Sequence, residues 1–129
     1  MEILVLIGRI LFSAIFIRSG VQHFTRVAMM SPYAGAKGVP SPKFMVRLTG
    51  AMMFLGGISV LLGAYVHIGA ALLVIFLIPT AIIMHNYWTL TDPMARAGDQ
   101  AHFVKDLALA GAAMLIWYFG SGPLSLVPY

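Results

Sequence analysis

Apolar residues fall along this chain in four long blocks, separated by polar stretches rich in glycine and proline. The blocks cover about residues 3–24, 44–63, 66–88 and 102–120. Each approaches the ~20 helical residues needed to cross a hydrocarbon core. The stretch Val27 to Pro42 carries Pro32, Pro40, Pro42, Gly35 and Gly38 and reads as a loop. The second and third blocks are joined only around Gly63-Ala-Tyr-Val, which predicts a tight antiparallel hairpin. Pro79 predicts a kink within the third helix, Thr91-Asp92-Pro93 its end, and Gly120-Ser-Gly-Pro123 the end of the fourth. The pattern therefore predicts an all-α membrane protein, a single domain over residues 1–129 built as a four-transmembrane-helix antiparallel bundle.

Composition decides the solvent. Hydrophobic residues make up 60% of the 129 and charged residues 9%, with a mean hydropathy of +0.93. A water-soluble fold of this size cannot hide that much apolar surface, so the solvent is lipid. The formal charge of +4 comes from scattered Lys and Arg that never form a run, which excludes a nucleic-acid footprint. Arg26, Lys37, Lys43, Arg47, Arg96 and Lys105 all fall at one membrane face, and none lies in the hairpin or the short uncharged tail. The first and third loops are expected in the cytoplasm and both termini outside. The first block follows Glu2 where a secretion signal has a basic start, so it is expected to be retained. Cysteine is absent, which removes disulfides, thiol relays and cysteine-ligated metal.

Small residues mark close helix contacts in lipid. Gly50, Ala51, Gly56, Gly57, Ser59 and Gly63 in the second block, with Ala108, Gly111 and Ala112 in the fourth, predict that these two pack together, and so thin a bundle is expected to form a homo-oligomer.

The densest polar stretch runs from His85-Asn-Tyr-Trp88 to His102-Phe-Val-Lys105-Asp106. Antiparallel order places it in the same leaflet as Arg18, Gln22, His23, Arg26 and Thr49. Arg18 lies about 12 Å inside the first helix and needs a partner. Asp106 is the acid at matching depth, so an Arg18–Asp106 ion pair is expected. Arg9, near the opposite end, is expected to snorkel outward or bond Ser13. The candidate ligand-binding residues are Arg18, Gln22, His85, Asn86, Trp88, His102 and Lys105. They suit an amphipathic ligand with a carbonyl or acidic head, a quinone or a lipid, although an interfacial belt of polar and aromatic residues gives the same pattern. The histidines at 23, 67, 85 and 102 lack the paired spacing of a metal site, and no metal is expected. No serine sits in a nucleophile elbow and there is no phosphate-binding glycine loop.

Arg9-Ile-Leu-Phe12 with Gly20, the run Gly56-Gly-Ile-Ser-Val-Leu-Leu-Gly63, His85-Asn-Tyr-Trp88 and His102-Phe-Val-Lys105-Asp106-Leu-Ala-Leu-Ala-Gly111 together resemble the DoxX family of small four-helix inner-membrane proteins. The resemblance implies a bacterial inner-membrane subunit associated with redox chemistry, through the family's relation to the membrane subunit of thiosulfate:quinone oxidoreductase. Met53 and His67 stand where many relatives carry Glu and Arg, and Lys105-Asp106 where Lys-Asn is usual. The leading reading is a quinone-linked subunit in which Arg18, His85, His102 and Lys105 hold the quinone head and a soluble redox protein donates electrons. The alternative is a non-catalytic anchor or scaffold recruiting soluble redox partners through the first loop. A small transporter fits less well, because such proteins need a carboxylate in the first helix and none occurs between Glu2 and Asp92.

Overall fold

A computed structural model describes residues 1–127; the last two residues of the uncharged tail, Pro128 and Tyr129, lie outside it. Its helices are α1 (Glu2–Thr25), α2 (Val27–Ala36), α3 (Pro42–Leu62), α4 (Val66–Met84) and α5 (Pro93–Phe119), with one 3₁₀ turn at Tyr87–Thr89. No strand occurs among the described residues. The helices α1, α3 and α5, and α4 together with its 3₁₀ extension, are long and apolar enough to cross a membrane. Large apolar side chains such as Leu4, Leu11, Ile68, Ile75 and Trp117 stand exposed on the outside of the bundle, where hydrocarbon is their solvent.

Two boundaries differ from the sequence expectation. The stretch from Val27 is a helix and not a loop. Pro32 is compatible with helical φ, and Ser31 Oγ donates to Val27 O (2.6 Å), a back-bond often found where helices bend. The chain turns only at Gly38 (φ +87°), where Val39 N donates back to Ala34 O (3.1 Å). The second difference lies after α4, which stops at Met84, so that α5 begins at Pro93 and not at His102. Thr91-Asp92-Pro93 opens a helix: Asp92 is its N-cap, accepting from Ala95 N at 2.9 Å, and Pro93 fills the first helical position. The residues from Pro93 to Gly98 are the exposed first turns of that helix.

Packing follows chain order for the long helices. α1 lies on α3, α3 on α4 and α4 on α5, while α2 caps α3 and the end of α1. The expected pairing of the second and fourth spans does not occur. A Cβ on Gly111 would meet nothing within 4 Å, so α5 uses no glycine there. The α3 glycines serve α1 and α4 instead. A Cβ at Gly20 would come within 2.8 Å of Phe54 N and 2.9 Å of Gly50 O, and one at Gly56 within 2.9 Å of Gly69 O. Backbone touches backbone at both crossings, which only glycine permits. The core around them contains Phe16, Met53, Val60, Leu73 and Leu77.

At the hairpin, Gly63 (φ +67°) ends α3 and Ala64 N donates to Ser59 O (3.0 Å). The tail after α5 returns to this hairpin, with Leu126 N and Val127 N donating to Leu62 O (3.0 Å) and Gly63 O (3.1 Å).

Candidate functional site: a charged cluster at one end of the bundle

The end of the bundle formed by α2, the C-terminus of α4 and the first half of α5 gathers most of the chain's charge. Asp99, His102 and Asp106 occupy positions i, i+3 and i+7 of α5, so they share one face. Farther along, that face carries the buried Ala110 and Ala113, so a helix that is apolar toward the core becomes acidic where it meets α4. His85, the C-cap of α4, points its ring onto this face.

The contacts form a chain. His85 Nδ1 lies 3.5 Å from Asp99 Oδ1 and Nε2 lies 3.7 Å from Asp106 Oδ2, so the imidazole sits between two carboxylates. Its ring stacks on His102, with centroids 4.9 Å apart and 23° between planes. Lys105 Nζ is 3.7 Å from Asp106 Oδ1 and 3.4 Å from His102 Nδ1. On the other side Lys37, at the end of α2, donates to Asn86 Oδ1 (2.8 Å) and lies 3.7 Å from Asp99 Oδ2. Asp106 is 5% exposed, whereas His102 and Lys105 are open at the surface. The buried His85 Nδ1 makes no hydrogen bond of good geometry, since 3.5 Å is at the limit for one. Lys37 also lies 5.9 Å from the Tyr33 ring centroid. The Tyr33 hydroxyl is pushed above the usual phenol range, first by loss of solvent and then by the charge of Asp99. Next in sequence to the cluster residues, Tyr87, Trp88 and Phe103 pack edge to face, with centroids 5.4 to 5.5 Å apart.

Of the residues expected from the sequence, His85, Asn86, His102, Lys105 and Asp106 therefore come together, with Trp88 adjoining. Arg18 and Gln22 do not join them. Arg18 is exposed and forms no ion pair with Asp106, whose partners are His85 and Lys105. The reason is helix order: α1 packs on α3, and α5 lies on the far side of α4. Gln22 is half-buried on α1. His23 Nδ1 is held locally by Val46 O (3.0 Å) and Thr49 Oγ1 (3.1 Å). Lys37 and Asp99 were not anticipated; the capping signal Asp92-Pro93, read as a helix start, would have placed Asp99 on the His102–Asp106 face. Arg9 neither snorkels nor bonds Ser13. It is buried, and it binds the tail through Ser121 O (3.3 Å), Leu124 O (2.7 Å) and Ser125 Oγ (2.6 Å). No group of three or more His, Asp or Glu among the described residues is arranged to hold a metal.

Four long apolar helices, lipid-facing on their outer surfaces and carrying a charged cluster at one end, define a multi-pass helical membrane protein. The chain belongs to the DoxX family, whose model matches residues 4–86. It is similar to the inner membrane protein YphA of Escherichia coli (strain K12), with 30% identity over 124 residues, covering 96% of this chain and 88% of that protein. The inner membrane protein YqjF of the same organism is 30% identical over 122 residues, covering 95% and 88%. No solved structure matches.

Proposed function

We propose that this chain is a multi-pass inner-membrane subunit of a quinone-linked redox system, and that the cluster around His85 receives the quinone head in the cytoplasmic leaflet. The observation that carries this reading is the His85 ring set between Asp99 and Asp106, next to the open donors His102 and Lys105. A quinone takes up two protons with two electrons, and it would supply the redox chemistry that no side chain here can. Lys105 Nζ and the His102 ring would hold a carbonyl oxygen by donating to it. His85, set between Asp99 and Asp106, would hold a proton beside them. Trp88, Tyr87 and Phe103 would face the apolar part of the ring. Electrons would come from a soluble redox partner at the same face.

The placement is supported by the six basic residues at the cluster's end of the bundle and by two relatives that are inner membrane proteins. In the test, protein purified in mild detergent is extracted with solvent and its quinone content measured. About one quinone per chain is expected, falling severalfold in His85→Ala and Lys105→Ala while the spans stay folded. A wild-type sample free of quinone, or variants that retain it fully, would overturn the reading. The non-catalytic scaffold gains support from α2, whose Met29 and Tyr33 stand exposed over this face. It predicts no bound quinone and no effect of either substitution.

A further inference from the structure

A second buried charge lies at the opposite end of the molecule. Arg9 is 5% exposed, and its hydrogen-bond acceptors among the described residues, Ser121 O, Leu124 O and Ser125 Oγ, are all neutral. A guanidinium has five N–H donors. These three bonds leave one N–H on Nε and one on the adjacent Nη2, and Nε is buried without a partner. Ser13 Oγ, one turn along the same face of α1, is also buried and unpartnered. No carboxylate among the described residues forms an ion pair with Arg9. A buried charge met among the described residues only by neutral acceptors is costly in a membrane protein, and such residues commonly mark a ligand or transport site.

Beside Arg9 a cleft of about 270 Å³ opens between α1 and the end of α5, lined by Val5, Gly8, Arg9, Ile116, Gly120 and Ser121. One cation and one polar residue face an otherwise apolar wall. At a water's share of ~30 Å³, the space holds a head group and not a whole lipid. It is open on the lipid side, because α1 and α5 do not pack closely and a Cβ at Gly8 would meet nothing within 4 Å. We propose that this cleft binds the anionic head of an acyl amphiphile, a carboxylate or phosphate whose charge Arg9 neutralises and whose hydrocarbon lies outside along the α1–α5 groove. An apolar mouth opening on hydrocarbon selects an amphiphile over a free anion, and the Arg9 guanidinium supplies the positive charge that an anionic head requires.

The test uses the full chain in non-ionic detergent, its thermal midpoint followed as oleate, phosphatidylglycerol, phosphatidylcholine or inorganic phosphate is added. Oleate or phosphatidylglycerol is expected to raise the midpoint with dose, and whichever does so identifies the head as carboxylate or phosphate. Phosphatidylcholine and inorganic phosphate are expected to leave it unchanged. Gly8→Leu fills the cleft while leaving every Arg9 hydrogen bond in place, so it should keep the ligand-free midpoint and weaken the response at least about tenfold. Arg9→Gln should lose the response as well, and if it fails to fold, Gly8→Leu still decides. An equal rise with phosphatidylcholine, an equal rise with inorganic phosphate, a full response in Gly8→Leu or no rise at all would each overturn the proposal. None of these readings depends on quinone at the other end.

Discussion

At Asp106 a carboxylate almost sealed from solvent is met by His85 and Lys105, each at 3.7 Å. Replacing Asp106 by Leu leaves His85 with only Asp99 and leaves Lys105, already exposed, to water. A loss of about 1–3 kcal/mol is expected in a detergent unfolding titration, because one buried partner and not a solvated pair is removed. Arg18→Leu should change stability by less than about 0.5 kcal/mol, as surface substitutions usually do. In a double-mutant cycle Arg18→Leu and Asp106→Leu should be additive within about 0.5 kcal/mol; strong coupling would place α1 against α5. Hydropathy and depth were enough to flag both charges, and enough to bring His85, His102, Lys105 and Asp106 to one end. They could not choose partners, because depth is one coordinate and the order of helices around the bundle is another. Lys37 was legible only as a topology signal, since its role depends on α2 being a helix that ends beside Asn86.

Among the elements, α3 carries the tightest crossings. Gly20→Leu should disrupt its seat against Phe54 and Gly50 and cost about 1–3 kcal/mol or prevent accumulation of folded protein, whereas Gly111→Leu should be tolerated. Folded yield and unfolding midpoint check both, and equal effects would remove the argument from close approach. Gly56 and Gly57 face α4 and α1 within one chain, so substituting them should damage the protomer itself. The four spans were readable because hydrocarbon imposes length and polarity on each separately. The ends of α4 and α5 were not, since a polar helical turn outside lipid has the composition of a loop and only Asp92-Pro93 distinguishes it. At α2 the density of Pro and Gly misleads, because Pro32 fits a helix and the true stop is the positive φ of Gly38.

For the whole molecule, the distribution of basic residues predicts an orientation. A reporter fused at the C-terminus should be active only outside the cytoplasm, and activity inside would put the histidine cluster in the opposite leaflet. Homo-oligomerisation, which we retain as a proposal, is checked by mass in mild detergent, with a mass above that of one chain expected. The tie between Arg9 and the tail bears on how the chain is made. Its bonds join residues 112 to 116 positions apart, whereas the long helices pack in chain order. Contacts across such long separations carry the largest loop-closure entropy and tend to form late. The clasp can therefore close only after the last span has been synthesised and has entered the membrane, so an arrested or prematurely terminated chain leaves an uncovered guanidinium at that end, a chemical mark by which quality-control proteases could tell an unfinished protein from a finished one.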